Sequence, residues 1–271
     1  MAASGPSMSA QERREAQREA LRKQRQAELK RQRTVRTVVI AAVTVVALVL
    51  VAGAGVFIYR SLQPAGPVAT PAGVAEDQPY LVLGAPEDSG KPVVELHLDF
   101  MCPYCGQFEQ INGADLETMV NDQEATIHLV PRRFLDTQST SGDYSSRAAN
   151  ALVCVYEDNP ENVLPFQQLM FANQPAEGTA GLTDDEIWGY AQEAGASDSV
   201  QSCMSAKTYQ PWVRQVADPY GEENGGGTPY IEIDGTQFEQ WSTEGALREA
   251  VLAAGGAAAS DAGGASDSGQ G

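Results

Sequence analysis

Residues 37–59 form an apolar stretch of 23 residues without a charged side chain. A helix of that length, at about 1.5 Å per residue, crosses the roughly 30 Å hydrocarbon layer of a bilayer. Residues 1–36 carry ten Lys/Arg side chains, whereas Arg60 alone flanks the stretch on its other side. Because basic flanks stay in the cytoplasm, we expect a single-pass protein of the cell membrane, with residues 1–36 cytoplasmic and the rest extracytoplasmic.

A cleaved signal peptide is the alternative for the same stretch. Ala52, Gly53 and Ala54 have the small-x-small pattern that signal peptidase accepts. Both the basic region and the apolar stretch are longer than in a usual signal peptide, which favours the transmembrane helix. Under either alternative, the remainder of the chain lies outside the cytoplasm.

The charge of that remainder limits its partners. After Arg60, seven Lys/Arg side chains stand against 32 Asp/Glu side chains, a net charge of −25. Such an acidic segment repels nucleic-acid phosphates and anionic lipid headgroups. We therefore exclude nucleic acid as a partner and expect contact with the membrane only through the apolar stretch.

Composition also predicts the domain boundaries. Residues 60–78 are rich in Pro, Ala and Gly and are predicted to be a linker, and residues 255–271 are low in complexity and are predicted to be a disordered tail. Residues 79–254 remain as one folded domain. A domain of this length buries a sufficient core without a metal or a dense disulfide framework.

Hydrophobic periodicity predicts an α/β fold for this domain. A strand at 92–100, a helix at 103–120 and a strand at 126–130 give a β-α-β beginning. The next segment, about residues 140–224, is mainly helical and too long for a simple crossover, with helices predicted at 145–156, 163–171, 183–194 and 212–220. A strand at 229–233 and a helix at 243–253 close the domain. The pattern is an open sheet with an inserted helical subdomain.

A Cys-Pro-Tyr-Cys motif lies where the first predicted strand gives way to the first helix. The first turn of a helix presents unpaired N–H groups and the positive end of the helix dipole, which favour a thiolate over a thiol. We predict that Cys102 has a lowered pKa and is the attacking sulfur. Cys105, one turn further, is placed to resolve the mixed disulfide. Pro103 and Tyr104, between the cysteines, would modulate thiolate stability and substrate contact.

A zinc site is the competing explanation for such a motif. It would need a second Cys-x-x-Cys pair or two histidines at ligand spacing. His97 and His128 are the only histidines, and each falls in a predicted strand. We therefore expect neither a metal nor another cofactor. His97 could tune Cys102 electrostatically, although a strand histidine is more often simply packed and hydrogen-bonded.

A second segment, residues 226–235 (GGTPYIEIDG), by itself indicates only a loop followed by a strand, because proline is normally confined to strand starts and edges. Together with residues 99–109 (DFMCPYCGQFE), it resembles the DsbA-like proteins of the thioredoxin superfamily, in particular the membrane-tethered actinobacterial type. The resemblance covers residues 92–253. It implies a thioredoxin-like fold.

The resemblance also implies roles for individual residues. Pro229 is expected to be cis and to stand beside the dithiol, and Thr228 is expected to help set the redox potential and to offer backbone to an extended substrate. Relatives often carry a Glu six residues before the first cysteine as a proton acceptor, and here that position is Leu96. Either Glu95 or Asp99 could serve instead.

Cys154 and Cys203 are the two remaining cysteines. The resemblance implies a structural disulfide between them, and the alternative is a pair of buried free thiols.

For function, the resemblance implies an enzyme, a protein disulfide oxidoreductase that introduces disulfides into secreted or cell-envelope proteins. A membrane quinone-linked reoxidase, either DsbB-like or a vitamin K epoxide reductase homologue, would reoxidise it. A reductase or isomerase fed by a membrane electron donor, and a non-catalytic envelope binding module with a structural Cys102–Cys105 bridge, stay open as alternatives.

Overall fold

The computed structural model of the chain describes residues 30–31, 43–44 and 68–264, of which residues 257–264 only as backbone. All of the predicted transmembrane helix at 37–59 except residues 43–44, nearly all of the basic segment and the first part of the linker therefore lie outside the described residues. Among the residues that are described, no helix is both long and apolar enough to cross a membrane.

A five-stranded mixed sheet forms the centre of the domain. The strands are β1 (Leu81–Gly84), β2 (Val93–Leu98), β3 (Thr126–Pro131), β4 (Tyr230–Ile233) and β5 (Thr236–Gln237), in the order β1-β3-β2-β4-β5. β2 pairs parallel with β3, and the other pairs are antiparallel. The parallel pair is joined by α1 (Pro103–Asn121), so the predicted β-α-β unit is confirmed, although β1 precedes it.

Both faces of the central strand β2 are buried. Leu96 is inaccessible on one face, and His97 is inaccessible on the other, where Glu95 is only 8% exposed. The strand was predicted to continue to residue 100 but ends at Leu98. It ends there because an Asp99 side-chain oxygen accepts the Met101 N–H (2.8 Å), a local turn that competes with strand pairing.

The inserted subdomain lies between β3 and β4 and is helical, as predicted. Its elements are α2 (Tyr144–Asp158), α3 (Val163–Ala172), α4 (Asp184–Glu193), α5 (Asp198–Ala206), α6 (Gln210–Trp212), a π-helical turn (Val213–Ala217) and α7 (Asp218–Asn224). Thr183 and Glu186 form a capping box at the start of α4. The sequence pattern did not predict α5. It predicted a single helix at 212–220, where the structure has α6, the π-helical turn and α7 in succession.

A disulfide between Cys154 and Cys203 joins α2 to α5, with the two Cα atoms 5.9 Å apart. Cys154 is 1% exposed within the core of the insert. The pair closes a loop with a sequence separation of 49 residues, and it thereby fixes the helix whose N-terminus faces the end of β2.

Both ends of the domain extend beyond the predicted boundaries. The closing helix, α8 (Ala246–Gly264), continues into the tail that was predicted to be disordered from residue 255, because the alanine run at 257–259 has high helix propensity. At the other end, Pro71 is buried and Val74 packs against the core, so the last part of the predicted linker belongs to the folded domain. The short edge strand β1, with only four residues of pattern, was not predicted.

Candidate active site

The Cys-Pro-Tyr-Cys motif forms the first turn of α1. Cys102 is the N-cap residue, with φ −72° and ψ 116°, and Pro103 occupies the first turn, where a missing N–H costs nothing. The Cys102 carbonyl accepts the N–H groups of Cys105 (3.0 Å) and Gly106 (3.2 Å). Both cysteines are free thiols in the structure. Cys102 is 4% exposed and Cys105 is fully buried, so only Cys102 is open to another molecule.

The Thr228–Pro229 peptide bond is cis and lies directly opposite the dithiol. The thiol of Cys102 donates to the Thr228 carbonyl oxygen (3.2 Å), a contact between residues 126 positions apart in the sequence. The Thr228 hydroxyl oxygen is buried and has no hydrogen-bond partner among the described residues. Thr228 therefore accepts from the thiol through its carbonyl and has a hydroxyl available to donate to a thiolate.

The two cysteines differ strongly in acidity. A hydrogen bond from the Cys105 thiol is the main cause that lowers the pKa of Cys102 to about 6, against the opposing effect of burial. Thr228 and the N–H groups of Cys105 and Tyr104 lower it further. Burial raises the pKa of Cys105 well above its ordinary value, and the hydrogen bond to Cys102 adds to this. Cys102 is therefore a nucleophile and a good leaving group, while Cys105 holds its proton.

Asp99 is fully buried at the end of β2, three residues before Cys102. Its carboxylate accepts hydrogen bonds from Met101 N (2.8 Å), Leu135 N (2.8 Å) and Ser145 Oγ (2.7 Å). Burial raises the pKa of Asp99 to about 6 despite these donors, and the charge of Cys102 adds to the rise. Asp99 is thus a carboxyl group that titrates near neutrality and interacts with the dithiol.

Glu95 occupies a different environment on the same strand. It accepts hydrogen bonds from His97 Nε2 (2.6 Å) and Tyr220 OH (2.8 Å). Burial raises the pKa of Glu95, but these two hydrogen bonds together with the charges of His97 and His128 outweigh it, and the net pKa is lowered. His97 itself packs between Tyr220 and Tyr230. The structure therefore commits Glu95 to a polar network with His97 and leaves Asp99 beside Cys102.

Two residues of the site, Gln174 and Gly106, were not predicted from the sequence. Gln174, which follows α3, donates from Nε2 to the carbonyl oxygens of Cys102 (2.8 Å) and Phe100 (3.1 Å). Gly106 leaves room for it, because a Cβ at this position would lie 2.4 Å from Gln174 Oε1. The glycine directly after the motif is a signal that could have been noticed, whereas nothing near Gln174 marks it, since its partners lie more than seventy residues away.

The rim of the site carries exposed aromatic side chains. Tyr104 is 61% exposed and Phe134 is 49% exposed. Phe134 precedes Leu135, whose N–H binds Asp99.

Within the described ranges, no group of three or more His, Cys, Asp or Glu side chains is arranged to hold a metal ion.

A family model described as thioredoxin matches residues 77–253, well over half of the chain. The chain belongs to the thioredoxin family. Among curated proteins, this thioredoxin-family chain is 31% identical over 146 residues to the serine/threonine-protein kinase PknE of Mycobacterium tuberculosis. The match covers 51% of the chain but only 26% of the kinase.

Solved structures with a similar fold include DsbA-like proteins, one of which, MdbA, is described as a thiol-disulfide oxidoreductase. They include DsbA of Mycobacterium tuberculosis in its reduced form (24% identity, TM-score 0.51, 70% of this chain and 96% of that one). MdbA of Actinomyces oris is similar over 68% of this chain and 91% of its own, with a TM-score of 0.55 and 21% identity. BdbD of Bacillus subtilis matches 65% and 93%, with a TM-score of 0.55 and 18% identity. The thioredoxin-family domain thus shares its architecture with the DsbA-like proteins.

Proposed function

We propose that the chain is an extracytoplasmic protein disulfide oxidoreductase that introduces disulfides into secreted or cell-envelope proteins through Cys102 and Cys105. The observation that carries the proposal is the Cys102 thiol in contact with the Thr228 carbonyl and beside the fully buried Cys105, an arrangement in which the pKa of Cys102 is lowered to about 6. A disulfide whose reduced form is stabilised is a strong oxidant, because its reduction by a client is then more favourable.

The reaction starts from the Cys102–Cys105 disulfide. A client thiolate attacks Cys102 Sγ, the S–S bond breaks, and Cys105 leaves and takes up a proton. A second client thiolate then attacks the client sulfur of this mixed disulfide, which forms the client disulfide and releases Cys102 as a thiolate. Two electrons pass from the client to the pair. The low pKa of Cys102 favours its departure in the second step.

Asp99 is the acid we propose for the proton transfer at Cys105. Its pKa of about 6 lets it gain or lose a proton near neutral pH, and a hydrogen bond from its own backbone reaches the Cys105 sulfur. Glu95 is held by His97 and Tyr220, so we assign it to the support of β2 rather than to the exchange.

Reoxidation needs an electron acceptor outside the chain. We propose a membrane quinone-linked reoxidase, DsbB-like or a vitamin K epoxide reductase homologue, which returns Cys102 and Cys105 to the disulfide. The apolar residues 37–59 and the basic residues before them support a single-pass anchor in the cell membrane with the N-terminus cytoplasmic. Such an anchor would keep the domain beside a membrane-embedded partner.

The reduction potential of the pair, measured together with client oxidation, tests the proposal. We expect a potential closer to about −120 mV than to about −270 mV, and oxidation of a reduced two-cysteine client. Cys102→Ser and Cys105→Ser should each abolish client oxidation, because neither variant can form the Cys102–Cys105 disulfide from which the reaction starts. A potential near that of reducing thioredoxins would instead indicate a reductase. Full oxidation by Cys102→Ser would contradict the enzymatic role of the pair.

A further inference from the structure

The loop at residues 225–228, which presents Thr228 to Cys102, has little support of its own. It contains three consecutive glycines, Gly226 has φ +68°, and Gly226 is exposed. Outside helices and strands, the described residues show two backbone hydrogen bonds for this loop. The N–H groups of Gly225 (2.9 Å) and Gly226 (3.0 Å) both donate to the Gly221 carbonyl. Glycine gives the chain the most conformational freedom, so a group outside the loop must hold it opposite the dithiol.

Arg132 is that group. It follows β3 directly, and its own N–H binds the Leu98 carbonyl at the end of β2 (2.9 Å). Its guanidinium donates from Nε to Asp218 Oδ1 (2.9 Å) and from Nη2 to the Gly226 carbonyl (3.4 Å). Gly226 lies two residues before Thr228. One side chain therefore links the end of the parallel strand pair, α7 and the loop that contacts Cys102.

The site around Arg132 is built for a guanidinium. The Arg132 side chain is 1% exposed, and a charge is retained in such a place only when it is paired and hydrogen-bonded. A Cβ on Gly221 would lie 2.6 Å from Arg132 Cδ, so α7 carries a glycine where the guanidinium crosses it. Asp218 Oδ1 also accepts the Arg133 N–H (3.2 Å). A planar fork meets two acceptors in a fixed geometry, which a lysine cannot do.

We propose that Arg132 is a positioning residue for disulfide exchange, because it binds Asp218 and the Gly226 carbonyl together and so fixes the loop of Thr228 opposite Cys102. The part of this inference that concerns exchange rests on the proposed function, whereas the part that concerns the Cys102 environment does not.

Arg132→Lys tests the proposal without removing the cation that faces Asp218. The lysine keeps one arm of the fork and loses the arm to Gly226. We expect the pKa of Cys102, read from the pH dependence of its alkylation, to rise toward that of an ordinary thiol. We also expect kcat/KM for a protein client to fall by about tenfold or more, since small misplacements of reacting groups are costly. Arg248→Lys is the matched control, because Arg248 makes a two-armed pair with Glu124 (2.7 and 2.8 Å).

Gly221→Ala provides a second perturbation that keeps every polar group. The added methyl group collides with Arg132 and should change the Cys102 pKa and client kcat/KM in the same direction. If Arg132→Lys does not fold, Gly221→Ala decides the question by the same two readouts. A loss of thermal stability with the Cys102 pKa and kcat/KM both equal to those of Arg248→Lys would overturn the positioning role. If the wild-type chain oxidises no client, the proposed function fails, and the alkylation comparison still decides the role of Arg132.

Discussion

The hydroxyl group of Thr228 should set a measurable part of the Cys102 acidity. It is buried, has no hydrogen-bond partner among the described residues and is one of the groups that lower the Cys102 pKa. Thr228→Val keeps the shape of the side chain and removes the donor. A hydrogen bond to a charged group is worth about 1.5–3 kcal/mol, which corresponds to a rise of about one to two pKa units at about 1.4 kcal/mol per unit.

The same substitution should make the pair a weaker oxidant. At a pH above the Cys102 pKa of both the wild-type protein and the variant, loss of thiolate stabilisation destabilises the reduced state by the same free energy. For a two-electron couple, about 1.4 kcal/mol corresponds to about 30 mV. We therefore expect Thr228→Val to lower the reduction potential by about 30–60 mV, with a slope of about 30 mV per pKa unit.

Two measurements on each variant check this relation: alkylation of Cys102 against pH, and equilibration with glutathione at a pH above the shifted pKa. Thr118→Val is the matched control, since the Thr118 hydroxyl binds only its own helix, at the Ala114 carbonyl (2.9 Å). A Thr228→Val protein with an unchanged Cys102 pKa would refute the assigned hydrogen bond. A shifted pKa with an unchanged potential would refute the link between thiolate stability and oxidising power.

Three further predictions follow from the same contacts. Asp99→Asn should slow the step in which Cys105 leaves and takes up a proton, measured by rapid-mixing kinetics of mixed-disulfide formation, while Glu95→Gln should not; the reverse result would reassign the proton-transfer group. Burial raises the pKa of Glu109 to about 7, so its protonated form is favoured by folding, and the stability it contributes is lost as pH rises from its unfolded pKa through about 7. Glu109→Gln should therefore remove this loss in urea unfolding between pH 4 and pH 8, whereas Glu117→Gln, at an exposed residue likewise bound by a glutamine, should leave it; equal curves for both variants would contradict the burial effect. Replacing both cysteines of the α2–α5 disulfide with alanine should lower the free energy of unfolding by about 4 kcal/mol without changing Cys102 alkylation, and an altered alkylation profile would show that the insert tunes the dithiol.

Sequence reasoning located the parts of the site that are local in the chain. Cys102 and Cys105 could be placed because the end of an apolar strand and the start of a helix are both readable around them. The role of Thr228 came from a resemblance, since a proline before a strand has an ordinary explanation of its own. The sequence could not distinguish Glu95 from Asp99 as the proton-transfer group. Every second residue of a strand points to the same face, and only the covering helices determine what each side chain contacts.

The remaining site residues are defined by contacts between distant segments. Gln174 reaches Cys102 across 72 positions, and Arg132 reaches Gly226 across 94. Neither lies in a periodic pattern that distinguishes a glutamine or arginine at the surface from one at the centre. The same limit applies to β1 and α5, which are short elements stabilised by the neighbours they pair or pack with rather than by propensity.

The pH dependence of Cys102 alkylation in the reduced wild-type protein tests the central claim most directly. The stabilised thiolate opposite Thr228 predicts a half-maximal rate at about pH 6, with about 90% thiolate at pH 7. A half-maximal rate near pH 9, the ordinary value for this thiol, would contradict the claim that the first turn of α1 and the facing loop stabilise a sulfur anion.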